Sequence, residues 1–191
     1  MTGFKRIGLV GRPDHSGVVD SLQRLLTLLA TKELTVVLDD ITAGLIDSSG
    51  QQVCKREELS NHCDLVIVVG GDGSMLNVAK YVAVDQVPVI GINRGRLGFL
   101  TDISPDDIEA RVEDVLSGNY SVESRFLLDV AIRREEKLES LGCALNDVVL
   151  HPGQAAQMIE FELFIDDKFV YSQESDGLIV ATPTGSTAYS L

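Results

Sequence analysis

The stretch that most limits what this chain can become is Leu65-Val66-Ile67-Val68-Val69, followed at once by Gly70-Gly71-Asp72-Gly73-Ser74. Five apolar residues in a row, three of them valine, predict a strand covered on both faces, as in a parallel sheet. Three glycines within four positions then remove the Cβ atoms that would hinder a sharp turn or the close approach of an anion. Met75-Leu76-Asn77-Val78-Ala79-Lys80 follows at helical spacing, so the run reads as strand, glycine turn and a helix from Ser74 to about Val84. Free amides at a helix N-terminus attract anions, and phosphate is the usual one. Asp72 sits inside that turn. A carboxylate there would repel phosphate unless it had separate work, such as holding a metal or taking the proton of an attacking hydroxyl. Taken alone, the turn reads better as a tight corner with a helix-capping Asp, so its meaning depends on the rest of the chain.

The flanking pattern is α/β. Ile7-Gly8-Leu9-Val10 predicts a short strand ending at Gly11-Arg12-Pro13. Val18, Leu22, Leu25, Leu26 and Leu29 form one apolar helical stripe, and Leu34 to Leu38 is a second strand, completing a βαβ unit. Ala43 to Lys55 is polar and weakly patterned and reads as an exposed connection. Glu57 to Cys63 suits a short helix, and Val87-Pro88-Val89-Ile90-Gly91-Ile92 another buried strand. Ligands of such sheets bind beyond the C-terminal ends of the strands, so the glycine turn and the loop Asn93 to Phe99 should be neighbours. That loop carries Arg94, Arg96 and Phe99. These could form a nucleotide shelf of guanidinium and ring; by itself the loop reads rather as solvated arginines and a core Phe. Ser104-Pro105-Asp106-Asp107 opens a helix with Ser104 as N-cap, Ile108, Val112, Val115 and Leu116 on its buried face, and Gly118 at its end.

From Tyr120 onward the period becomes two. Phe126, Leu128, Val130 and Ile132 alternate with their neighbours, Glu135-Glu136-Lys137 marks a hairpin tip, and one strand is expected from about Leu138 to Leu150. Ile159 to Ile165, Phe169 to Tyr171 and Leu178 to Ala181 are further strands, with a turn at Asp166-Asp167. The expected fold is an α/β N-terminal domain with a mostly parallel sheet (residues 1–119), followed by a β-rich, antiparallel second domain (residues 120–191), incomplete here. The helix begun after Gly185 runs only about one and a half turns to Leu191, too short to be stable alone, so a natural continuation is expected.

Composition narrows the partners. With 29 acidic against 16 basic residues the net charge is −13, which argues against nucleic acid and anionic membranes. No apolar run approaches a membrane span, and the N-terminus lacks a signal-peptide core. Cys54, Cys63 and Cys143 are widely spaced and suit a reducing cytoplasm rather than a disulfide framework. His15, His62 and His151 lack metal-ligand spacing, and there is no P-loop, G-x-G-x-x-G fingerprint or nucleophile elbow.

What remains is Gly70 to Ser74, Asn93 to Phe99, Ala144-Leu145-Asn146-Asp147, and Ser175-Asp176-Gly177 with Thr182-Pro183-Thr184-Gly185-Ser186-Thr187-Ala188-Tyr189-Ser190. This set closely resembles the NAD kinase family in its bacterial branch, with its GGDG turn, its Asn-acid pair and its SDG…TPTGSTAYS run. Ile92 to Asp102 and His151-Pro152-Gly153 agree, and the resemblance covers essentially the whole chain. Lipid kinases and phosphofructokinases share the first motif; the combination is specific. The resemblance implies phosphoryl transfer from ATP to the adenosine 2′-hydroxyl of NAD, giving NADP, with a divalent metal cation (magnesium), in a cytoplasmic homo-oligomer.

Carried over position by position, the resemblance makes Asp72 the proton acceptor and a substrate contact. Gly70, Gly71, Gly73 and Ser74 become phosphate-binding, Gly73 touching substrate as well. Asn146 and Asp147 match the pair that holds the nucleotide; alone they would read as a β-turn. Asp176 matches a further substrate contact, Thr187, Ala188, Tyr189 and Ser190 the lining of the adenosine pocket, and Phe99 an aromatic near the base. Gln157 and Glu174 fall where relatives place a basic or otherwise polar contact, and Glu174 cannot neutralise a phosphate. No metal ligand is identified. Two other classes share parts of the pattern: a lipid kinase of the diacylglycerol type, and a non-catalytic nucleotide sensor.

Overall fold

The structure is a computed structural model that describes residues 3–13, 15–95, 98–153 and 157–189, the last two by their backbone alone. It divides into two compact units, Met1–Glu123 and Ser124–Leu191.

The first unit is a three-layer α/β sandwich. In chain order it contains β1 (Arg6–Gly11), α1 (Val18–Ala30), β2 (Thr35–Asp39), α2 (Asp40–Ala43), β3 (Gln52–Cys54), α3 (Leu59–His62), β4 (Leu65–Gly70), α4 (Asp72–Val82), β5 (Val89–Asn93) and α5 (Ile108–Leu116). The sheet order is β3-β2-β1-β4-β5, with every pair parallel. All six residues of β4 are buried, and the alternation of its side chains explains why the run has no polar member. Leu65, Ile67 and Val69 face one core with Leu22, Leu25 and Leu29 of α1 and Ile108 and Val112 of α5. Val66 and Val68 face the other, with Leu59 of α3 and Met75, Val78 and Val82 of α4. Each such side chain contributes about 1.5–3 kcal/mol when fully buried, so the strand carrying the glycine turn is held from both faces.

Two expectations change here. The segment Ala43 to Lys55 is not simply an exposed connection: α2 ends in it, and Gln52–Cys54 adds a parallel edge strand to β2. The anchor is Asp39, fully buried, which caps α2 through the Thr42 amide and pairs with Arg56. Thr42 Oγ1 in turn accepts from the Gly11 amide at 2.7 Å, tying the end of β1 to the same corner. The helix after the glycine turn starts at Asp72 rather than Ser74, with Gly71 as N-cap.

The second unit is antiparallel β, as its period-two pattern predicts. It contains β6 (Leu128–Arg134), β7 (Lys137–Ala144), β8 (Asp147–Leu150), β9 (Ile159–Ile165), β10 (Lys168–Ser175), β11 (Leu178–Ala181) and α6 (Ser186–Tyr189). The pairs are β6-β7, β9-β10 and β8-β11. Both hairpin tips are two-residue turns with positive φ, 48° and 62° at Glu135-Glu136 and 49° and 61° at Asp166-Asp167, the handedness that matches strand twist. The single strand expected from Leu138 to Leu150 is two strands, broken at Leu145-Asn146.

Candidate active site

In the first unit the glycine turn and the loop after β5 meet as expected. Gly70 is in register with Asn93, and Gly70 O accepts from the Arg94 amide at 2.8 Å. The three glycines of the turn differ in what demands them. A Cβ at Gly70 would overlap Ser74 Oγ, so that glycine is needed for packing. Gly71 and Gly73 have nothing within 4 Å of where a Cβ would sit. Gly71 has φ −117° and ψ −173°, extended backbone open to any residue. Among the described residues nothing requires glycine at either position, and they leave open space beside the N-terminus of α4.

Asp72 occupies the first turn of α4 and points at the loop after β5. Its Oδ2 accepts from the Phe99 amide at 2.7 Å. Its Oδ1 accepts from the amides of Leu100 at 3.0 Å and Thr101 at 3.1 Å, and from Thr101 Oγ1 at 3.1 Å. Burial alone would raise its pKa, but these donors outweigh it and hold the carboxyl below the usual carboxylate range. Asp72 is therefore an ionised group of fixed orientation. A Cβ at Gly98 would overlap Asp72 Oδ1, so the loop comes this close only because position 98 is glycine.

Arg94 is not free for the phosphate shelf that residue types alone allowed. Arg94 donates to Ser21 Oγ at 2.7 Å and to Asp20 Oδ2 at 2.8 Å, and its guanidinium lies over Gly17, so it locks the loop to α1. Arg96 lies outside the described residues. Phe99 is not a core residue: it is 63% exposed, beside the Asp72 carboxylate.

The second unit brings Asn146 and Asp147 together with the Thr182-Pro183-Thr184-Gly185 turn. Thr182, 1% exposed, donates its hydroxyl to Leu145 O and its amide to Asn146 O. The Gly185 amide donates back to Thr182 Oγ1 at 3.2 Å. A Cβ at Gly185 would overlap the Asn146 carbonyl. This close crossing lies where the strand breaks at Leu145-Asn146 and ties down the Asn146 backbone. Asn146 Oδ1 is buried without a hydrogen-bond partner among the described residues, which is costly unless a ligand supplies the donor. Asp147 opens β8 opposite Ala181.

Asp176 is exposed next to Gly177, where a Cβ would overlap Leu150 O. Glu174 is exposed and directly across from Glu160, a like-charge pair that makes its surroundings more negative. Gln157 is exposed, and Thr187 lies exposed in α6. The side chains of Ala188 and Tyr189 and all of Ser190 lie outside the described residues.

Among the described residues no three His, Cys, Asp or Glu side chains converge on a point that could hold a metal ion. His62 Nδ1 meets Gln52 and His151 Nδ1 accepts from the Gly153 amide, so both act locally. Burial pushes the Cys54 thiol up to about 11 and that of Cys63 to about 12, leaving neither a reactive thiolate. Reasoning from sequence named the segments that contain Gly98, Thr101, Thr182 and Gly185 but gave none of the four a role of its own. The two glycines were the available signal, since each stands in a motif where a close backbone approach is the usual reason for glycine.

Residues 7–120 match the family profile described as the ATP-NAD kinase N-terminal domain, and residues 145–191 that of the ATP-NAD kinase C-terminal domain. NAD kinases of Chromohalobacter salexigens and Azotobacter vinelandii are each 56% identical to the chain over all its 191 residues, which is 65% of each relative's length. The chain thus spans a little under two thirds of these relatives. A solved NAD kinase from Archaeoglobus fulgidus in complex with ATP matches with TM-score 0.68 and 28% identity, over 97% of this chain and 64% of that one. Yeast NADH kinase complexed with NADH matches with TM-score 0.88 and 24% identity, over 100% and 61%, a likeness of fold.

Proposed function

Because the chain belongs to the ATP-NAD kinase family, we propose that it serves the transfer of the γ-phosphoryl group of ATP to the adenosine 2′-hydroxyl of NAD, giving NADP. The observation that carries this reading is the open pair Gly71 and Gly73 beside an ionised Asp72 of fixed orientation. The open backbone admits a phosphate, and the carboxylate can meet a hydroxyl brought next to it. A ribose hydroxyl is a weak nucleophile. A carboxylate within hydrogen-bond reach orients it and takes its proton as the bond to phosphorus forms. Because phosphoryl transfer has a loose transition state, orientation carries much of that contribution.

In this reading Gly70, Gly71, Gly73 and Ser74 surround phosphate. Asn146 Oδ1, buried and unpartnered, accepts from the nucleotide's exocyclic amine or a ribose hydroxyl, and Asp147 accepts from a second hydroxyl. Asp176 and Thr187 add polar contacts, Ala188, Tyr189 and Ser190 line the adenosine, and Phe99 offers its exposed ring to a base. Gln157 and Glu174 contact hydroxyls rather than phosphate, because the Glu174–Glu160 pair would repel an anion. The described residues form no metal cage of their own. A divalent cation, magnesium by preference, fits this reading as a partner of the nucleotide's own phosphates, and no residue is assigned to it. The reading also includes a cytoplasmic setting, supported by three unpaired cysteines. It includes a homo-oligomer, supported by exposed apolar side chains of the second unit such as Leu141, Phe164 and Phe169. No described helix is long and apolar enough to cross a membrane.

The test is chromatography of a mixture of the full-length protein with NAD, ATP and Mg²⁺. NADP should appear and grow with time. Phosphatidic acid from added diacylglycerol with no NADP would indicate a lipid kinase, and nucleotide binding without any product would indicate a sensor.

A further inference from the structure

A carboxylate oxygen has two lone pairs, and the two oxygens of Asp72 are used unequally. Oδ1 takes three hydrogen bonds, from the amides of Leu100 and Thr101 and from Thr101 Oγ1, whereas Oδ2 takes the Phe99 amide. Oδ1 is saturated and Oδ2 keeps capacity for another donor. Thr101 supplies two of the three bonds to Oδ1, and it is built for this position. It is fully buried, and its Cγ2 lies against Gly91, where a Cβ would meet Cγ2 at 2.6 Å. With the methyl seated there, the hydroxyl is turned to Asp72. The amides of Asn93 and Ile103 on either side are bonded to Ile103 O and Gly91 O, so the segment is pinned to the end of β5.

We propose that Thr101 is a positioning residue for phosphoryl transfer: it saturates Oδ1 of Asp72 and so leaves Oδ2 as the oxygen that meets the substrate hydroxyl. The inference rests on the role given to Asp72 in the kinase reading. In the step itself the 2′-oxygen forms a bond to the γ-phosphorus, and the bond from that phosphorus to the β,γ-bridging oxygen breaks. ADP leaves with the electron pair, and the hydroxyl proton passes to Oδ2. The neutral carboxyl then returns its proton to solvent. Thr101 does not touch the reacting atoms. Without its hydroxyl, Oδ1 keeps only the Leu100 and Thr101 amides and regains capacity for another donor, so the substrate hydroxyl can meet either oxygen, which lowers turnover without altering the surfaces that bind NAD or ATP.

Thr101→Val keeps the shape and the methyl and removes the hydroxyl; Thr101→Ser keeps the hydroxyl. The experiment measures kcat and both KM values of the full-length protein with NAD and ATP for wild type, the two variants and Asp72→Asn, with a thermal melt of each. The expected result is a folded Thr101→Val protein with kcat lowered about tenfold, both KM values within about twofold, and kcat largely restored in Thr101→Ser. A Thr101→Val protein with the kcat of wild type overturns the proposal, as does a loss equal in the serine variant. If the valine variant does not fold, Gly98→Ala decides. Its methyl would overlap Oδ1 and displace the carboxylate, so it should lose kcat in the same pattern, and unchanged kcat overturns the proposal. A wild type that makes no NADP, or an Asp72→Asn protein as fast as wild type, fails at the earlier reading and is recognisable as such.

Discussion

At the scale of single residues, Asp72 has both a structural and a chemical part to play, and one substitution separates them. Asp72→Asn keeps the size of the side chain but cannot take a proton, and its amide nitrogen cannot accept from either the Phe99 amide or the donors on Oδ1. We expect kcat to fall by about 10²–10⁴ in the full-length protein, the range for loss of a general base. The melting midpoint should also fall by roughly 3–10 °C, since a hydrogen bond to a charged group is worth about 1.5–3 kcal/mol. The corner is held by the bonds of Asp72 to the loop after β5 as well as by its glycines. Steady-state NADP production beside a thermal melt checks both numbers; a mutant that keeps more than about half its kcat would show that Asp72 only ties the loop down. The chemical type of Asp72 was legible because a carboxylate among glycines is a local pattern. Its partners were not, because backbone amides leave no mark on a sequence and one threonine in a loop looks like any other. Asn146 was legible only through its motif, and the bond from Thr182 that holds its backbone crosses 36 positions of chain from Asn146 to Thr182.

At the scale of elements, legibility followed the strength of the apolar pattern. The β4 run and the stripe of α1 bury what their spacing predicts, because a repeated pattern has one favourable orientation, whereas the alternation of β9 half-buries Ile159, Phe161 and Leu163 and leaves Ile165 exposed. The short strand β3 was missed because only Cys54 of its three residues is buried and its place depends on an ion pair. Arg56 and Asp39, 17 positions apart, are 12% and 0% exposed in their side chains, and the pair joins β2, α2 and the turn after β3. Arg56→Met removes the cation and leaves a buried carboxylate unpaired. It should cost about 3–5 kcal/mol in urea unfolding followed by circular dichroism. A loss below about 1 kcal/mol would mean that water takes over the pairing and that β3 is held by its backbone bonds to β2 alone.

At the scale of the whole molecule, the sequence separates an α/β part from an antiparallel β part near Asn119, and the structure divides into compact units at Glu123/Ser124. The first unit is a closed sandwich with two buried cores, and the second carries most of its apolar strand residues at the surface. With 29 acidic and 16 basic residues the protein repels anions at a distance, so an anionic substrate has to be held by open backbone amides and a few polar side chains rather than by a basic field. The kinase reading accounts for that arrangement and makes a definite claim about where phosphate goes. Its most direct test is a phosphorus balance: the full-length protein is given NAD, Mg²⁺ and ATP labelled at the γ-phosphate, and the products are separated and examined by phosphorus NMR. The account predicts one ADP formed for each NAD consumed, with the label on the adenosine 2′-oxygen of NADP and little in free phosphate. Label released as inorganic phosphate, or attached at any other hydroxyl, would contradict it.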